Sequence, residues 1–168
     1  LFKSPTIEKV AHSLVTETPA AGEEERSKGP GLVLLKRAVN LEPDTDRNIF
    51  FIHEGYGEVG GYNEFCSALP DRYNCWGIRA YWAEGVAPTE LSIRKIAGDY
   101  AERIKAIQPR EPYQIIGWCI GGTLAFEIVN ILEQEGKTIR FFAMMDAPPP
   151  KPSRAAGVKN FSLATELK

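Results

Sequence analysis

The stretch "YQIIGWCIGGTLAFEI", residues 113–128, constrains this chain more than any other. A short apolar run leads into Gly-x-Cys-x-Gly-Gly, and an apolar segment with helical spacing follows at once. Glycines at Gly117 and Gly121 remove side chains on either side of Cys119. That is what a strand needs if it is to turn sharply into a helix packed against it. The chain must therefore accommodate a strand, a tight turn and a helix within about 20 residues, which is the building unit of a parallel sheet covered by helices.

The rest of the sequence repeats that unit. "LVLLK" at 32–36 reads as an edge strand and "NIFFIHE" at 48–54 as a buried one. A helix is expected over 60–70, a strand over 73–80, and a helix over 90–108 with an apolar face of Leu91, Ile96, Tyr100, Ile104 and Ile107. After the strand at 113–118, the helix over 120–136 ends at Gly136, and a last strand covers 138–147 before "PPPKPS". Strands alternating with helices predict an α/β fold with a mostly parallel sheet and helices on both faces. Ligand sites in such sheets lie beyond the C-terminal strand ends, so His53–Gly61, Cys119 and Asp146 are expected to gather there.

Upstream, residues 5–16 have the spacing of a short helix, with Ser4 as N-cap and Pro5 at its first position. "TETPAAGEEERSKGPG" at 16–31 is a linker by composition. The organisation expected is thus a helix at 1–15, a linker at 16–31 and one domain over 32–168. A net charge of −2 in 168 residues gives no electrostatic reason for a nucleic-acid or anionic-membrane partner. No apolar run approaches the ~20 residues of a membrane span. The three cysteines, Cys66, Cys75 and Cys119, form no CxxC pair, and the only histidines are His12 and His53. Neither a disulfide framework nor a metal site is expected, and a cytoplasmic, reducing setting is.

The Gly-x-Cys-x-Gly turn resembles the nucleophile elbow of the α/β-hydrolases. In that reading Cys119 is the nucleophile, the helix N-terminus stabilises negative charge beside it, and the Ile120 amide faces a developing oxyanion. In the plainer reading Cys119 is a small buried residue in a glycine-rich turn. Asp146, at the end of the next strand, either orients a histidine base or simply begins a turn before the prolines. Cys66 and Cys75 read as buried small hydrophobes.

Several motifs in order make the likeness more specific. "GWCIGGTLAFEIVNILEQEG" is similar to the GWSxGG-x-LAFE segment of the C-terminal thioesterase domains of nonribosomal peptide or polyketide synthases, with cysteine for serine. "YAERIKAIQPREPYQIIGW", "FFIHEGYGEVGGYNEF" and "FFAMMDAPPP" resemble the approach to the elbow, the oxyanion loop and the acid-bearing strand of that family. "LFKSPTIEKVAHSL" looks like the last helix of a peptidyl carrier domain. The resemblance implies an α/β-hydrolase fold lacking its lid and C-terminal part. It also implies an acyl or peptidyl thioester delivered in cis on the 4'-phosphopantetheine of a carrier domain, with no cofactor bound directly. Cys119 and Asp146 would be catalytic, and the backbone amides of Ile120 and Gly55 would form the oxyanion hole. Trp118, which core packing would equally explain, and His53 would border the substrate. The family's histidine lies after a helical lid, and none follows Cys119, so the chain reads as a fragment in which "NFSLATELK" at 160–168 could begin that lid. A stand-alone hydrolase or acyltransferase of the same fold, and a non-catalytic interaction domain, are the alternatives.

Overall fold

A computed structural model describes residues 31–39, 47–81 and 92–147. The helix expected at 5–16, the linker, Leu91 and the segment after Ala147 lie outside these residues. The described chain runs β1 (Leu32–Lys36), β2 (Asn48–Ile52), a 3-10 turn (Gly60–Tyr62), α1 (Asn63–Ala68), β3 (Asn74–Ile78), α2 (Ile93–Ile107), β4 (Tyr113–Trp118), α3 (Ile120–Gln134) and β5 (Ile139–Met145). The strands form one sheet in the order β1-β3-β2-β4-β5. β1 is antiparallel to β3, and the other four strands are parallel. The expected edge strand is thus at an edge, and β2 and β4 lie inside, as their unbroken apolar runs require.

Alternation along the strands divides the core into two layers. Phe50, Ile52, Trp76, Ile78, Tyr113 and Ile115 point to one face, where α2 and α3 cover them with Ile96, Tyr100, Ile104, Leu124, Ile128 and Leu132. Ile49, Phe51, Cys75 and Ile116 point to the other, under Val59, Tyr62 and Cys66 of the 3-10 turn and α1. Helices therefore flank both faces of a mixed sheet, consistent with an incomplete α/β-hydrolase-like fold. The apolar face expected of α2 is the buried one, and Ser92 caps the helix by accepting from the Lys95 amide. Gly136 (φ 75°) closes α3. Its amide donates to the Glu133 carbonyl and that of Lys137 to Leu132, a Schellman pair that satisfies the last turn.

Two expectations needed correction at this level. The helix over 60–70 is a 3-10 turn followed by a six-residue α-helix, because Gly60 and Gly61 disfavour the α conformation. The strand over 48–54 stops at Ile52, and the His53 amide makes its last rung, to the Ile78 carbonyl at 3.0 Å.

Candidate active site

Three neighbouring parallel strands end together. β2 and β4 remain in register to Ile52↔Gly117, and β4 and β5 to Trp118↔Met145. The next residues are His53–Gly55 after β2, Cys119 after β4 and Asp146 after β5, so the topology brings all three segments to one edge of the sheet.

Cys119 occupies φ 55°, ψ −128°, a conformation that costs a non-glycine residue about 1–3 kcal/mol. The surroundings hold it there. Its amide donates to the Met145 carbonyl at 2.9 Å, and its carbonyl accepts from the Gly122 amide at 3.0 Å. No side chain fits at the flanking glycines. A Cβ on Gly117 would fall 2.6 Å from the Gly122 nitrogen, and one on Gly121 would fall 2.6 Å from the Ile52 carbonyl oxygen. The strained turn leaves the thiol exposed at the N-terminus of α3, whereas Cys66 and Cys75 are buried. Exposure decides against the plain reading of Cys119 as a core residue.

Asp146 is also exposed and also has positive φ, 46°. It directly follows the Met145 carbonyl that holds the Cys119 amide, so the two strained positions share one hydrogen bond. Trp118 is 41% exposed rather than packed in the core. Its ring lies over Gly61, 3.6 Å from where a Cβ would stand.

His53 is fully buried. Its Nδ1 faces the Glu54 carbonyl at 2.7 Å, which fixes the proton on Nδ1. Nε2 then accepts from the Tyr100 hydroxyl at 2.9 Å. Burial pushes the ring pKa below its ordinary value of 6.5, against the opposing pull of the Glu54 carbonyl and of the Glu54 and Glu58 charges. A neutral ring engaged at both nitrogens is suited to shaping the loop after β2. The loop itself turns tightly: Gly57 donates to the Glu54 carbonyl at 2.9 Å, and Tyr56 donates to the Glu54 carboxylate at 2.9 Å. Gly55 is exposed, with open space where a Cβ would be.

One participant stands within "FFIHEGYGEVGGYNEF" but carries no role in the sequence reading. The Tyr62 hydroxyl donates to the Ile52 carbonyl and accepts from the Trp118 amide, both at 2.8 Å. Burial raises its pKa to about 12. Among the described residues no group of three His, Cys, Asp or Glu could hold a metal ion, and no helix is long and apolar enough to cross a membrane.

Parallel strands thus end beside a strained, exposed thiol at the N-terminus of α3. The thioesterase-domain family model matches residues 47–166, and the chain belongs to that family. It is 31% identical over 147 residues to malpibaldin synthetase of Mortierella alpina, covering 88% of this chain and 2% of that protein. It is likewise 31% identical over 147 residues to the nonribosomal peptide synthetase apvA of Aspergillus terreus, covering 86% of this chain and 15% of that one. The chain thus spans a small part of these relatives. Among solved structures, a four-domain nonribosomal peptide synthetase bound to AMP and glycine aligns at TM-score 0.62 and 24% identity, over 77% of this chain and 10% of that one. The type II thioesterase of the borrelidin cluster aligns at 0.60 and 21%, over 75% and 50%. At these identities the structures share the fold.

Proposed function

We propose that this domain takes an acyl or peptidyl chain from a carrier-bound thioester onto Cys119 and then releases it by hydrolysis or cyclisation. The observation that carries the reading is the exposed Cys119 thiol at a strained elbow beside the loop after β2. The sulfur attacks the thioester carbonyl, the carbonyl oxygen takes up negative charge between the Gly55 and Ile120 amides, and the phosphopantetheine sulfur departs as the C–S bond breaks. Water, or an internal hydroxyl or amine of the bound chain, then displaces Cys119. Asp146 orients a histidine base, in the order of nucleophile, acid and base that this family's motifs follow. Both ring nitrogens of His53 are engaged, which argues against His53 as that base. Trp118 borders the acyl chain, and His53 supports the loop. The segments 1–15 and 16–31 are read as the end of a carrier domain and its linker, which makes the transfer an in-cis step in the cytoplasm.

Cysteine rather than serine matters for the second half-reaction. An acyl-cysteine is itself a thioester, so transfer from the carrier is close to isoenergetic and the bound chain stays activated. This suits release by aminolysis or by closure of a small strained ring. A Cys119→Ser variant giving the same products at a comparable rate would remove that argument. The reading as a whole is tested by incubating the chain with an acyl N-acetylcysteamine thioester and locating the adduct by mass spectrometry. Acylation at Cys119, abolished in Cys119→Ala, is expected. Absence of any adduct on a Cys119 that still reacts with iodoacetamide would favour a non-catalytic interaction domain.

A further inference from the structure

Pairing between the two central strands ends at Ile52↔Gly117. The His53 amide makes the last rung to Ile78 of β3 at 3.0 Å, and the Cys119 amide the last rung to Met145 of β5 at 2.9 Å. The loop carrying Gly55 and the elbow carrying Cys119 and Ile120 are thus anchored to opposite neighbours just where their amides would have to act together. The Tyr62 hydroxyl lies in this gap. It joins the carbonyl of the last β2 residue to the amide preceding Cys119, with one 2.8 Å bond on each side. The ring that carries it is 2% exposed and packs on Phe51 at 4.9 Å. Backbone on both sides and a packed ring leave the hydroxyl little freedom.

We propose that Tyr62 is a positioning residue for acyl transfer, setting the separation of the Gly55 and Ile120 amides by holding the Ile52 carbonyl and the Trp118 amide apart at the width of one oxygen atom. The proposal rests on the acyl-transfer reading above. Without the hydroxyl, the buried Ile52 carbonyl and the part-buried Trp118 amide lose a shared partner, and the strands close on each other or admit water. Either response moves an oxyanion donor. An error of about 1 Å in such geometry costs roughly 100-fold in rate, and loss of one donor about 100- to 1000-fold. The thiol itself need not change its exposure or its nucleophilicity.

Two reactions at Cys119 separate these effects. Acylation by a thioester passes through an oxyanion, whereas alkylation by iodoacetamide displaces iodide at a saturated carbon and needs no oxyanion hole. In the 168-residue chain, under alkaline conditions so that no protein base is required, Tyr62→Phe should slow acylation of Cys119 about 10- to 100-fold. Alkylation of Cys119 and its pH profile should stay within about twofold of wild type, because no principle of oxyanion stabilisation enters that reaction. Ile49→Ala loosens the same apolar layer farther back along β2, so it should lower the melting temperature while acylation persists. The proposal is overturned if Tyr62→Phe acylates at the wild-type rate, if acylation and alkylation fall together, or if Ile49→Ala slows acylation as much as Tyr62→Phe does. A wild-type chain that is alkylated at Cys119 but never acylated there overturns the acyl-transfer reading itself, a result distinct from the other three.

Discussion

Replacing Gly121 by alanine tests how closely the elbow depends on its contact with β2. The added Cβ would lie 2.6 Å from the Ile52 carbonyl oxygen and nearer still to that of His53. Real Cβ atoms keep at least 3.0 Å from such a neighbour, so α3 or the loop after β2 must retreat by about 0.4 Å at Ile52, and further at His53. Neither side yields easily. The Ile52 carbonyl is held by Tyr62, the His53 amide by Ile78, and α3 by the buried side chains of Leu124, Ala125 and Ile128. Overpacking against backbone of this kind costs about 2–3 kcal/mol, the upper part of the usual range. In a domain of this size that is roughly 3–5 °C per kcal/mol, hence a melting temperature lower by about 10 °C. The retreat also separates Gly55 from Ile120, so acylation of Cys119 should fall by roughly 10-fold or more. Gly98 supplies the control. It lies within α2, and a Cβ there meets nothing within 4 Å. Gly98→Ala should gain up to about 1 kcal/mol from helix propensity and leave acylation unchanged. Calorimetry and adduct kinetics on the two variants decide the matter. A Gly121→Ala protein as stable and as reactive as Gly98→Ala would refute the packing account of the elbow.

Three further outcomes are expected. His53 is neutral in the fold, with its pKa held below 6.5, so the unfolded chain binds the extra proton as pH falls through 6.5. This contribution to stability is complete above that pH and is lost below it, by up to about 1.4 kcal/mol per pH unit until the folded ring also protonates. Denaturant midpoints at about pH 7.5 and 5.5 should differ more in wild type than in His53→Gln, and equal differences would refute it. Ellman's reagent should titrate one thiol rapidly in the native chain and all three in denaturant, because only Cys119 is exposed; the Cys66 thiol is pushed up further by its hydrogen bond to Cys75 and by burial. Finally, Asn48 accepts from Trp76 Nε1 at 3.0 Å and from Asn74 Nδ2 at 3.2 Å, and donates to Gln108 Oε1 at 3.1 Å. Asn48→Ala at the far end of the sheet should cost about 2–3 kcal/mol in chemical denaturation and leave Cys119 acylation intact.

The sheet and its helices were legible because β2, β4, α2 and α3 carry their burial in their periodicity. Even the segregation of Phe50 and Phe51 to opposite layers follows from the two-residue repeat of a strand. Strand ends were less legible. "NIFFIHE" continues as an apolar, β-prone run to His53, yet pairing with β4 stops at Ile52, where the Tyr62 hydroxyl stands between the Ile52 carbonyl and the Trp118 amide. The break at Gly60–Tyr62 was available from the paired glycines and was obscured by the helical spacing of Tyr62, Phe65 and Cys66. Nothing in the sequence showed that His53 is locked between a carbonyl and a tyrosine 47 residues away. Tyr62 stands in the segment likened to the oxyanion loop, yet the bond its hydroxyl accepts comes from an amide 56 residues away. Long-range polar pairing leaves no local pattern.

The elbow illustrates how such distant contacts make a local motif work. Gly-x-Cys-x-Gly specifies a turn that can be tight, but by itself it does not hold Cys119 at φ 55°. A strained residue persists only where its neighbours over-determine it. Here they do so from three directions: Met145 from β5, the Ile52 and His53 carbonyls against Gly121, and Tyr62 through Trp118. Two come from neighbouring strand ends and the third from the 3-10 turn. The exposed thiol is therefore a product of the whole central sheet, and a peptide carrying residues 113–128 alone would present the same cysteine without its conformation. This is the physical reason to place the proposed chemistry at Cys119 rather than at Cys66 or Cys75, whose buried positions offer no access.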